Sequence, residues 1–115
     1  MEGPYLLNET NIDKYVSSKP GAYLLTHTNG DKNTVIYVGR SDGDLNSRLK
    51  DHLPENETNN CIKGKKVDKF YFQHTDTAEA AYELECQWYH QYNPTCNDMH
   101  PDKSSSSWEC PVCKQ

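Results

Sequence analysis

Two tyrosines, Tyr23 and Tyr37, an arginine, Arg48, and a histidine, His52, have the types and spacing for chemistry on a phosphate. Tyr23 stands in Pro20-Gly21-Ala22-Tyr23-Leu24-Leu25 and Tyr37 in Val35-Ile36-Tyr37-Val38-Gly39-Arg40-Ser41, two short apolar runs that each bring a tyrosine close to a glycine. Arg48 and His52 are four residues apart, so on a helix they project one turn from each other on one face. Chemistry at a phosphate takes groups that move protons and cations that stabilise charge building on the phosphoryl oxygens. Phenol, imidazole and guanidinium groups gathered into one small polar patch hold parts for that task.

The elements that must gather them are legible from pattern. The two apolar runs flank a polar loop, Thr26 to Asn33, containing Asn29-Gly30, and so read as a β-hairpin with strands near Ala22–Thr26 and Thr34–Val38. Leu45, Leu49 and Leu53 recur every fourth residue and predict a helix over that span, capped by Ser41, Asp42 or Asp44 and stopped by Pro54. Glu55 to Lys66 is nearly devoid of apolar residues and reads as an exposed loop; Phe70-Tyr71-Phe72 reads as a third strand. Asp76-Thr77-Ala78-Glu79 has the capping-box spacing and opens a helix over about Thr77–Tyr92, with Ala81, Leu84 and Trp88 toward the sheet and Asn93-Pro94 ending it. The first 19 residues read as a lead-in with a single helical turn at Ile12–Val16. The expected fold is therefore α+β: a small three-stranded antiparallel sheet flanked by helices in the order β-β-α-β-α. Residues 1–98 would form the domain and 99–115 a polar tail.

Composition narrows the setting. A chain of 115 residues with 34% hydrophobic residues is expected to form one domain with a modest core, and no apolar run reaches the roughly 20 residues needed to span a bilayer. The start lacks a secretory pattern, so the expected location is cytoplasmic and the five cysteines are expected to be buried thiols or metal ligands rather than disulfides. The net charge of −5 opposes a nucleic-acid partner, but seven of the twelve Lys and Arg lie between Arg40 and Lys69. A local basic face is one reading and a solvated loop of mixed charge is the other.

The two runs resemble the GIY-YIG nuclease family, with Gly21-Ala22-Tyr23 in place of the first tripeptide and Tyr37-Val38-Gly39 in place of the second. The order of later elements, reaching Asn97, carries the resemblance over most of the chain. Both departures are apolar swaps on strands. The resemblance implies a metal-dependent endonuclease hydrolysing DNA, structure-directed or of low sequence specificity, in repair or recombination. It singles out Glu85, which stands before Pro94 and Asn97 as the family's glutamate does, as the one carboxylate holding Mg²⁺ or Mn²⁺. It further implies Tyr23 as general base, a role needing neighbouring cations to favour the phenolate, since free tyrosine has a pKa near 10. Tyr37 would share that pocket, Arg48 would bind the scissile phosphate, His52 would accept a hydrogen bond from a tyrosine, and Asn97 would orient the Glu85 end. Arg40, Ser41, Lys50, Lys63, Lys65 and Lys66 are the expected substrate-binding residues. Each has a blander reading alone: strand aromatics for the tyrosines, solvated helical residues for Arg48, His52 and Glu85. A catalytically degenerate module on the same fold, binding nucleic acid or a protein partner, is the competing function.

Cys110-Pro111-Val112-Cys113 has the spacing of a zinc knuckle. The nearest further ligands are Cys96 and His100, with Cys86, Cys61 and His90 as substitutes. An unstructured tail with two exposed thiols fits the spacing equally well.

Overall fold

The computed structural model describes residues 1–114. Four strands, β1 (Glu2–Leu6), β2 (Gly21–Asn29), β3 (Lys32–Ser41) and β4 (Lys69–His74), form one antiparallel sheet in the order β1-β4-β2-β3. The helices are α1 (Glu9–Tyr15), α2 (Leu45–Lys50), α3 (Asn60–Gly64) and α4 (Ala78–Tyr92). The α+β class and the antiparallel sheet flanked by helices are those expected, but the sheet has four strands, not three. The extra one is β1, in the segment expected to be a lead-in: Tyr5 pairs with Phe70 and stacks on Tyr15 with ring centroids 3.9 Å apart. A strand with only one half-buried residue carries no alternating pattern, so only its partner reveals it.

The hairpin is tighter than its polar loop suggested. Asn29 pairs with Lys32, leaving Gly30-Asp31 as a two-residue turn in which Gly30 takes the positive φ of 63° that such turns place on glycine. Ile36 has no partner on β2, because Leu25 faces Tyr37 and Thr26 faces Val35. This bulge lets Ile36 and Tyr37 both serve the same core, with Tyr23, Leu25, Phe70, Phe72, Leu45 and Leu49. The opposite face carries Ala22, Leu24 and Val38 against Trp88 and Leu84 of α4. Thr77, not Asp76, caps α4, its hydroxyl accepting from Ala80 N at 3.0 Å.

Two further expectations are corrected. The stretch Glu55–Lys66 is no plain exposed loop: it contains α3, buries Glu57 and Ile62, and is tied to the segment after α4 by a Cys61–Cys96 disulfide joining residues 35 apart. That bond overturns the reading of all five cysteines as thiols or ligands. No helix among the described residues is long and apolar enough to cross a membrane.

Gly21 and Gly39 are demanded by close approach. A Cβ on Gly21 would lie 2.6 Å from the Gln73 carbonyl oxygen, and one on Gly39 would collide with the Tyr23 hydroxyl and ring. Tyr23 is wholly buried opposite Gly39 and has nowhere to move. Gly43 meets nothing. Replacing Gly39 with Ala should therefore lower unfolding free energy by roughly 1–3 kcal/mol or more, as overpacking does, whereas Gly43→Ala should stay within about 0.5 kcal/mol of wild type. Urea denaturation of both variants checks this.

Candidate active site

Because β3 is an edge strand, side chains from both faces of the sheet meet around its open side. On the α2 face the Tyr23 hydroxyl donates to His52 Nε2 at 2.7 Å, and His52 Nδ1–H donates to Glu57 Oε1 at 2.7 Å. Glu57 Oε2 in turn accepts the backbone N–H groups of Thr58 (3.0 Å) and Asn59 (3.1 Å). The rings of Tyr23 and Tyr37 each lie within 5.5 Å of the His52 ring, centroid to centroid. Arg48, one turn before His52, is the accessible cation of this group; it reaches Asp51 at only 3.4 Å and lines the cavity beside Tyr37.

On the α4 face Arg40 and Glu85 form a buried ion pair, Nη1 to Oε1 at 2.6 Å. Arg40 also donates Nε to Asp42 at 2.7 Å and Nη2 to Ser104 at 3.1 Å, with the Tyr82 and Trp108 rings within 5.8 Å. The guanidinium expected to bind substrate is thus committed internally. It supplies the countercharge that a buried carboxylate requires.

Asn97 closes the edge between the two groups. Its amide side chain accepts from Val38 N at 2.8 Å and donates to Val38 O at 2.9 Å, continuing the backbone bond from Cys96 N to Ile36 O. The sequence expectation gave it the Glu85 end of the site; its hydrogen bonds are to the strand. Tyr37, Gly39, Arg48, Glu85 and Asn97 share one open cavity of about 560 Å³, with Asp42, Asp98 and Asp102 also in its wall.

The remaining expected residues divide. Ser41 caps the turn into α2, accepting from Asp44 N at 2.8 Å, and lines the cavity. Lys50 is paired with Asp13 at 2.7 Å, away from the cavity lining. Lys63, Lys65 and Lys66 are exposed around the end of α3. Lys63 and Lys66 border a smaller hollow whose floor includes His52 and Glu57. Cys96 is lost as a metal ligand to its disulfide, while His100 and Cys113 do approach, at 3.3 Å.

Burial sets the protonation states. It pushes the Tyr23 phenol well above 10, outweighing the nearby Arg48 charge, and so favours the protonated hydroxyl. Burial likewise lowers His52 despite Glu57, leaving a neutral imidazole with its Nε2 lone pair aimed at Tyr23. Glu57 is held below the usual carboxylate range: burial would raise it, but hydrogen bonds from His52, Asn59 and Thr58 prevail. Glu85 is pushed upward by burial, with Arg40 opposing. Glu57 is the residue joined to this site that spacing does not disclose. It lies beyond Pro54 in a segment without periodicity, and no motif points to it.

A protein-family comparison matches residues 19–99 to the GIY-YIG catalytic domain. The chain belongs to the GIY-YIG family. Among solved structures it is similar to the GIY-YIG N-terminal endonuclease domain of UvrC from Thermotoga maritima, bound to its catalytic divalent cation, magnesium. That match has a TM-score of 0.58 and 23% identity over 76% of this chain and 96% of that one. A point mutant of the same domain, also bound to its catalytic divalent cation, matches with a TM-score of 0.60 at 22% identity over 77% and 97%. No curated protein matches the chain.

The lowered His52 value carries a sign. The unfolded chain takes up this proton near pH 6.5, the folded one only at lower pH. The resulting stabilisation is whole above about pH 6.5 and declines as pH falls toward the folded value. NMR titration should place His52 below free histidine, and urea midpoints should drop from pH 7.5 to 5.5 by less in His52→Gln than in wild type.

Proposed function

We propose that this protein is a metal-dependent endonuclease hydrolysing DNA phosphodiester bonds, structure-directed or of low sequence specificity, in repair or recombination. The carrying observation is the hydrogen-bonded row Tyr23–His52–Glu57, set against a cavity shared by Arg48, Tyr37 and Glu85. Arg48 holds the scissile phosphate through its planar donors. The Tyr23 hydroxyl, buried behind the cavity-wall residue Gly39, takes a proton from the attacking water once that water enters beside Gly39, and passes its own to His52 Nε2. The imidazolium so formed is stabilised by Glu57, and Tyr37 shapes the wall beside Arg48. A neutral phenol can serve because the imidazole accepts its proton in the same step.

The donor set fits a hard divalent cation: one buried carboxylate, Glu85, opens on a roomy polar cavity in which water can complete the ligand shell. Glu85 would hold Mg²⁺ or Mn²⁺, and such a cation supplies charge stabilisation at the phosphoryl and leaving oxygens. Lys63, Lys65 and Lys66 give DNA a basic edge on a chain whose net charge is −5.

A second reading has one observation in its favour. Arg40 already pairs with Glu85 at 2.6 Å, occupying the carboxylate that a catalytic cation would need. Cleavage assays on labelled duplex, single-stranded, flap and junction DNAs with RNA controls, in Mg²⁺, Mn²⁺ or EDTA, separate the two. The nuclease predicts metal-dependent cutting abolished in Glu85→Gln, which keeps the shape and a bond to Arg40, with DNA binding retained. Glu57→Gln should cost roughly tenfold or more of the 10²–10⁴-fold that general acid–base catalysis contributes. Its acid limb should lie below the wild-type one, because the carboxylate that raises His52 is gone. Binding without cutting in every metal would establish the module instead. Converting Lys63, Lys65 and Lys66 to Gln should flatten the salt dependence of binding by about 0.9 in slope for each phosphate no longer neutralised.

A further inference from the structure

Outside the site just described, His90, His100, Cys110 and Cys113 converge. One ligand atom from each, imidazole nitrogen or thiol sulfur, lies within 4.8 Å of all the others. They come from three places in the chain: the last turn of α4, the segment after Asn97, and the tail turn. We propose that these four side chains bind one zinc ion that fastens the tail to α4, distinct from the catalytic cation at Glu85.

Three details fit a tetrahedral Cys₂His₂ centre. The first is the tautomer of His100. Its Nδ1–H donates to the Pro101 carbonyl at 3.0 Å, which leaves the Nε2 lone pair facing Cys113 Sγ at 3.3 Å. A ligating histidine is oriented by just such a bond on its other nitrogen. The second is the turn around Cys110–Cys113, closed by Lys114 N donating to Cys110 O at 2.9 Å. It sets the Cys110 and Cys113 sulfurs together, each within 4.8 Å of a nitrogen of both imidazoles. The third is ligand chemistry: two thiolates with two imidazoles suit zinc over the hard cations that a lone carboxylate binds.

Sequence spacing pointed to this knuckle with Cys96 and His100 as the nearest further ligands and His90 among the substitutes. The disulfide removes Cys96, and the helix end supplies His90 instead.

The position gives the ion a consequence. Between His100 and Cys110 the chain places Ser104 and Trp108 on Arg40, and Asp102 in the cavity wall. Trp108 packs on Tyr82 with centroids 5.5 Å apart. Zinc at the two ends of this segment holds it over the Arg40–Glu85 pair. The role is structural, since all four positions are taken by protein.

The test is metal content by mass spectrometry of the full chain, purified without chelators and also refolded with Zn²⁺ under mild reductant. The expected result is one zinc per chain. Its affinity should fall at least tenfold in His90→Ala and Cys113→Ser, and be retained in His90→Cys, which restores a ligand, and in Cys86→Ala. Co²⁺ in its place should show the visible absorption of a tetrahedral site with two thiolates. No zinc under either preparation, with circular dichroism showing a folded chain, overturns the proposal. So does zinc that is indifferent to His90 and Cys113 but lost with Cys86.

Discussion

Gly39 lacks a side chain because the Tyr23 phenol fills the space where one would stand. That single contact sets the rest of the site. With the ring laid across the glycine, its hydroxyl reaches His52 Nε2, and His52 must then present Nδ1–H on its far side, where Glu57 accepts it. The row is buried from end to end, so its members are neutral phenol, neutral imidazole and an ionised carboxylate satisfied by backbone N–H groups. Burial works against charge on Tyr23 and leaves its hydroxyl hydrogen-bonded to a neutral His52.

The sheet edge explains how so small a chain assembles chemistry from two faces. Alternation along β3 sends Tyr37 toward α2 and Arg40 toward α4, and an interior strand would keep them apart. As the outermost strand, β3 leaves a flank along which Cys96 and Asn97 run. The Cys61–Cys96 disulfide then ties that flank to the segment carrying Glu57, so both halves of the site are anchored to the same strand.

The Arg40–Glu85 pair ties the tail to the site. A carboxylate so buried needs a positive partner, and Arg40 provides it together with contacts to Asp42, Ser104 and two aromatic rings. The tail is therefore part of the site's construction rather than an appendage. Its Cys110 lies in a small core with Tyr82 and Cys86 against which Trp108 packs.

The sequence alone determined the hairpin, the helix of Leu45 and Leu49 and the long helix with Ala81 and Trp88 inward, and it set Tyr23, Tyr37, Arg48 and His52 on those elements, because local periodicity encodes these directly; Glu85 was singled out by the family resemblance rather than by periodicity. It left β1 unread, since a strand with little buried surface carries no pattern of its own. It also left Glu57 unread, because a carboxylate in an aperiodic segment acquires meaning only from the imidazole it meets. Which cysteines pair, which cation neutralises Glu85 and that His90 and His100 both reach Cys110 and Cys113 were likewise decided by tertiary structure. Each depends on distances between segments far apart in the chain, and spacing along one segment contains no such distance.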